Sequence, residues 1–82
     1  MTVERSFRGI SQRLAREYLV NLGGEAIDDD RVEGDDWSAD LSEEKVNPVG
    51  SFTLNEVTIV FEGEELEPLI EKFAQKAMRA GG

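Results

Sequence analysis

With 82 residues the chain has room for one domain and one modest core, and a chain of this size buries only about 60–65% of its unfolded surface. It contains no cysteine and no histidine, which removes disulfides, thiolate metal sites, the commonest zinc ligand and the usual general base. Eighteen acidic residues against nine basic ones give a net charge of −9, which repels nucleic-acid phosphates and anionic membranes alike.

Asp and Glu are abundant and arginine outnumbers lysine, a bias that resembles a halophilic protein whose acidic surface stays solvated in concentrated salt. On that reading the charge reports habitat and not partner. No apolar run follows Met1-Thr2-Val3-Glu4, so neither a signal peptide nor a membrane span is expected, and the cytoplasm is the default location.

Thr2 to Arg8 alternates, with Val3 and Phe7 on one face and Thr2, Glu4, Ser6 and Arg8 on the other, which reads as a half-buried strand. Parity places Arg5 on the apolar face. Ser11 is a good N-cap, and Leu14, Ala15, Tyr18, Leu19 and Leu22 follow at helical spacing until Gly23-Gly24, which predicts a helix over 11–22. Ala26 and Ile27 suit a short strand. The acidic run from Asp28 to Asp36 reads as a solvated turn or loop, because like charges this dense repel one another in a packed strand. Trp37, Ala39 and Leu41 alternate with Ser38, Asp40 and Ser42, another strand with one dry face. Val49 to Leu54 reads as the next strand. A two-residue loop, Asn55-Glu56, would lead into a last strand carrying Val57, Ile59 and Phe61, pairing 54 with 57, 52 with 59 and 50 with 61. That register sets Phe52 beside Ile59 in the core and Phe61 opposite Gly50. Leu66, Leu69, Ile70, Phe73, Ala77 and Met78 form a helical stripe, with Pro68 tolerated in the first turn, which predicts a helix over 64–79 and a flexible tail at 80–82.

The expectation is a single α+β domain over 1–82: an antiparallel sheet of about four to five strands with two helices on one face, in the order β-α-β-β-β-β-α.

Several short segments carry a resemblance: Glu4-Arg5-Ser6-Phe7 in the first strand, and Glu17-Tyr18-Leu19 with Gly23-Gly24 closing the first helix. Val49-Gly50-Ser51 before Leu54, Glu62-Gly63-Glu64-Glu65 at the last strand–helix junction, and Ala77, Arg79 and Gly81-Gly82 at the end complete it. In this order and spacing the chain resembles, over nearly its whole length, the C-terminal domain of MoaD-related proteins. In these a ubiquitin-like sulfur-carrier domain of the molybdopterin-synthase small-subunit type precedes a second α+β domain. The resemblance implies a fold similar to the TATA-binding-protein class, but fold does not carry function. It brings no catalytic residue. Against that pattern, no sulfur-carrier domain is expected within these 82 residues, and the 28–36 segment is more acidic.

Four features are candidate sites. The Asp28–Asp36 cluster could bind calcium, but with Asp29 as first and Gly34 as sixth loop position, Arg31 occupies the third, where a ligand belongs; a solvated loop is the plainer reading. Gly81-Gly82 could be a conjugation tail of the kind that ubiquitin-like modifiers and sulfur carriers thread into an activating enzyme. Here the tail would leave a helix, and a frayed helix end explains it as well. Arg5 could anchor an anionic ligand or partner, or snorkel at the strand edge toward a carboxylate. Trp37, Phe52 and Phe61 could line a pocket, but in so small a core they read as the core itself.

The expected function is a non-enzymatic binding or accessory domain of a MoaD-type sulfur-carrier pathway, in molybdopterin synthesis or sulfur transfer. It would act by protein–protein contact with the carrier or its activating enzyme, without cofactor, nucleic acid or membrane. The alternatives are a modifier or sulfur carrier using Gly81 and Gly82, and a small-molecule-binding module. Oligomeric state is left open: Glu4, Ser6, Asp40 and Thr58 make a polar outer face that Val60 interrupts.

Overall fold

Alternation over Thr2–Arg8 produces the first strand, β1, of a computed structural model that describes residues 1–81. Helix α1 spans Gln12–Asn21, and its cap is the expected one: the Ser11 hydroxyl accepts the Leu14 N–H at 3.1 Å, while the Glu43 carboxylate accepts that of Gln12. The helix stops at Gly23, whose φ of 108° suits glycine alone, and the Gly24 N–H returns to the Leu19 carbonyl at 3.1 Å. Four strands follow: β2 Glu25–Asp28, β3 Arg31–Glu33, β4 Trp37–Val49 and β5 Phe52–Gly63. Helix α2, Leu66–Gly81, places Glu67 in its first turn and Arg79 in its last, both favourable to the helix dipole.

The sheet is antiparallel throughout, in the order β1-β5-β4-β3-β2. Both helices lie on one face, α2 over β1 and β5, α1 over β2, β3 and β4. That face supplies Val32, Ala39, Leu41, Val57, Ile59 and Phe61 to the core, which Ile10, Ala15, Leu19, Leu66, Phe73 and Ala77 complete. Phe73 is the hub, with its ring centroid 4.9 Å from Phe7, 6.1 Å from Tyr18 and 6.2 Å from Phe61, all edge-on. The opposite face is uncovered and polar. Among the described residues no polar or charged side chain is buried, and no helix is long and apolar enough to cross a membrane.

The architecture and element order are those the sequence predicts, but two details of the expected strands and one of the second helix are corrected. The segment read as an acidic loop contains β3: Val32 is fully buried, and Arg31 holds Glu33 and Asp40 at 2.8 Å each, which removes the repulsion that argued against a strand. There is no turn at Asn55-Glu56. A tight two-residue hairpin of the favoured type needs positive φ at both loop positions, and Glu56 is a poor candidate for it. The turn falls at Gly50-Ser51, with Gly50 at φ 50°, and β5 runs straight through 55–56. Val46 therefore pairs with Leu54 and Leu41 with Ile59. Phe61 faces Ala39 and Val3 instead of Gly50, and Phe52, 58% exposed, is outside the core. Finally, α2 continues two residues past the expected end at 79, taking in Gly81; Gly82 lies outside the described residues.

The end of the β4–β5 hairpin projects beyond the rest of the sheet. β1 reaches only as far as Glu56 in its register, and β3 pairs only with residues 38–40. The molecule measures 42 × 23 × 21 Å as a result.

Candidate functional site

The register of β1 decides where Arg5 lies. It pairs with Ile59, so its side chain leaves the sheet on the helix side, as parity predicts. No carboxylate reaches it: among the described residues its one hydrogen bond is donated to the Glu4 carbonyl at 3.1 Å, and it forms no ion pair. Arg5 lines a surface groove of about 390 Å³ between β1 and α2, walled by Val3, Leu66 and Ile70 and flanked by Glu67 and Glu71. Its lining joins apolar Val3, Leu66 and Ile70 to side chains of both charge signs, Arg5 against Glu67 and Glu71.

The outer edge of β1 is unpaired, and the ladder on its inner side fixes which groups point outward. Gly63 donates to the Met1 carbonyl at 3.0 Å and Gly9 to the Asn55 carbonyl at 2.9 Å. Both are hydrogen-bonded pairs in the β1–β5 register, so Val3, Arg5 and Phe7 between them are too. The backbone N–H and C=O groups of Thr2, Glu4, Ser6 and Arg8 therefore face away from the sheet.

The acidic turn is built from short local contacts. The Asp28 carboxylate accepts the Asp30 N–H at 3.1 Å, Arg16 reaches Asp29 at 2.9 Å, and Gln12 donates to the Asp29 carbonyl at 2.9 Å. Hydrogen bonding from the Asp30 side chain, and then its backbone N–H, holds the Asp28 carboxyl below its ordinary value of 3.8. The same contact, with the charge of Asp28, pushes Asp30 above it. Hydrogen bonds to Glu33 and then Asp40 tighten the proton on Arg31. Among the described residues no three acidic side chains converge as a metal would require, and the third loop position, Arg31, is occupied by its own ion pairs. A second groove of about 500 Å³ runs between α1 and β2, past Arg16, Val20 and Ala26.

The aromatic candidates divide. Phe61 is fully buried in the core. Trp37 is half-buried in a slot where Gly24 and Gly34 leave room for its ring: a Cβ on Gly24 would lie 2.7 Å from Trp37 Cη2, and one on Gly34 would strike the indole nitrogen. Phe52 belongs to the projecting hairpin. Gly81 is helical and is not brought near Arg5 or the acidic turn by any described contact.

The face of the sheet opposite the helices is uncovered among the described residues. Ser6 and Thr58 join hydroxyl to hydroxyl at 3.0 Å across β1 and β5, and Arg8 meets Glu56 at 2.9 Å. Around them Glu4, Asp40, Glu44 and Glu62 leave the surface acidic. The sequence reading found the alternation behind this face but placed the hairpin on the wrong side. Val46 and Leu54, paired across the ribbon, extend the open face as an apolar strip.

A family model described as archaeal MoaD-like protein matches residues 3–82. No curated protein matches the chain.

Proposed function

The chain belongs to the archaeal MoaD-like family, and from that premise we propose that it is a non-enzymatic accessory protein of a MoaD-type sulfur-transfer pathway, acting by protein–protein contact. The family match is the observation that carries this reading, since it names a small protein related to sulfur carriers. The lack of any cysteine or histidine supports the non-enzymatic part, because thiolate persulfide relay and imidazole acid–base chemistry are both out of reach. The open sheet face supports contact as the mode of action. It is acidic, rigidly backed by the core, and marked by the Val46–Leu54 strip at one end. The fitting partner is a MoaD-type carrier, or its activating enzyme, with a basic patch that meets Asp40, Glu44 and Glu62 around apolar contacts. The reading carries a cytoplasmic location with it.

Isothermal titration of the chain against the host's carrier, and separately against the activating enzyme, tests this. Binding to one of them is expected, weakening as salt screens the acidic face, with Glu44→Lys, at a side chain opposite Glu56 on the open face, lowering affinity by about tenfold. Failure to bind either one overturns the proposal. If binding is instead lost only when Gly81 and Gly82 are deleted, the carrier-tail reading replaces it.

A further inference from the structure

The sheet has two free edges, and they differ in charge. β2 carries Glu25 and Asp28 with no basic residue, an arrangement that discourages strand addition. β1 carries Arg5 and Arg8 against Glu4 and is the only strand with a positive excess: β3 balances Arg31 with Glu33, β4 sets Asp40, Glu43 and Glu44 against Lys45, and β5 holds Glu56 and Glu62 alone. A molecule of net charge −9 thus presents one basic edge, with the outward backbone groups of Thr2, Glu4, Ser6 and Arg8 unpaired.

We propose that the β1 edge is a self-association interface, at which two copies pair β1 against β1, antiparallel about Ser6, and continue one sheet into the other. The charge pattern selects both the partner and the register. With Ser6 opposite Ser6 of the second copy, Glu4 of each chain lies opposite Arg8 of the other, in pairs that exchange two backbone hydrogen bonds each. Centring on Glu4 would set two carboxylates face to face, and centring on Arg5 two guanidinium groups; both are repulsive. The Ser6 register also sets Arg5 opposite Phe7 of the second copy, on the helix side. This gives the guanidinium, which has no ion pair among the described residues, an aromatic neighbour beside the groove that Leu66 and Ile70 line. Arg8, already held by Glu56 at 2.9 Å, becomes the centre of a line of alternating charge running Glu56, Arg8 and Glu4 of the second copy. The opposing term is repulsion between two strongly acidic bodies, which acts at longer range than the edge contacts. Added salt therefore strengthens this association, since at about 1 M the Debye length is only about 3 Å.

Sedimentation equilibrium of the full chain, in dilute buffer and at about 1 M potassium chloride, reads this directly. A monomer–dimer equilibrium that tightens with salt is expected. Ser6→Pro removes an outward N–H and costs no ladder bond within the sheet, so it should abolish the dimer while circular dichroism stays native. Glu4→Arg should weaken association by about tenfold, and adding Arg8→Glu together with Glu56→Arg should recover most of the loss, because it inverts the whole line of alternating charge and keeps the pair between positions 8 and 56. A wild-type chain that stays monomeric in both buffers overturns the proposal, as does a Ser6→Pro variant that still dimerises. So does a triple swap no tighter than Glu4→Arg alone. A monomer whose binding of the sulfur carrier is lost on Ser6→Pro would give this edge to a foreign strand, and would leave the proposed function standing without the dimer.

Discussion

Phe73 joins the two layers of the molecule. It projects from α2, meets Tyr18 of α1, and packs edge-on against Phe7 and Phe61 of the two strands beneath it. Truncating a fully buried phenylalanine costs about 3–5 kcal/mol, from lost transfer energy and from the cavity that rigid neighbours cannot fill. The whole stability of a chain this size is only about 4–12 kcal/mol. Phe73→Ala should therefore lower the chemical-denaturation midpoint enough to populate unfolded chains in dilute buffer. Phe73→Leu, which keeps most of the volume, should lose well under half as much. If the alanine variant melts within a few degrees of wild type, the aromatic cluster is not the centre of the core. The ion pairs are a contrast at the same scale. Arg13–Glu17, Arg16–Asp29 and the two pairs of Arg31 are solvated and fix local geometry more than they stabilise.

The β4–β5 hairpin shows at the element scale how a periodic pattern can be read correctly and folded wrongly. Phe52 and Leu54 are two apart, and so are Val57, Ile59 and Phe61, but the step from 54 to 57 is odd. Either a loop intervenes and both sets face the core, or the strand runs on and the sets face opposite sides. The structure takes the second course, with its turn at Gly50-Ser51 and Phe52 on the open face. The two alternatives differ in a measurable quantity. Phe52→Ser should change folding stability by no more than about 0.5 kcal/mol if the residue is exposed. It should cost several times that if Phe52 packed on Ile59, so a loss of about 3 kcal/mol would restore the short-loop register. What was legible had local causes: the Ser11 cap, the Gly23-Gly24 stop, the stripe of α2 and the parity of Arg5. What was not legible depended on partners distant in sequence. β3 exists because Val32 finds a dry site under α1, while Arg31, by reaching Asp40 on the next strand, relieves the acidic repulsion and fixes the register. The free edge of β1 was not legible either, since strand order alone decides that β1 lies outermost with β5 on its inner side.

Charge acts on the molecule as a whole. With a net charge of −9 on a body 42 Å long and 23 × 21 Å across, every carboxylate feels the others in dilute buffer, where the Debye length at about 0.01 M is about 30 Å. Salt weakens the attractive pairs as well as the repulsion, so the sign of its effect depends on distance. The ion pairs are contacts between 2.8 and 3.9 Å, shorter than the screening length until salt is very concentrated. The excess acidic charges are spread over the turn at 28–30, the bends at 35–36 and 64–65 and the open face, and mostly act across longer distances, where screening is strong. Repulsion therefore falls first, and stability should rise as potassium chloride is raised from about 0.01 to about 1 M, most steeply at the low end. A thermal melt monitored by circular dichroism at each concentration measures this, and the profile separates two sources of the effect. A rise that levels off near the salt where the Debye length reaches about 8 Å is screening. One that keeps climbing is salt excluded from the surface, acting on the hydrophobic core. A flat profile would mean that the carboxylates do not strain the fold, and the acidity of the open sheet face would then have to be explained by what binds there.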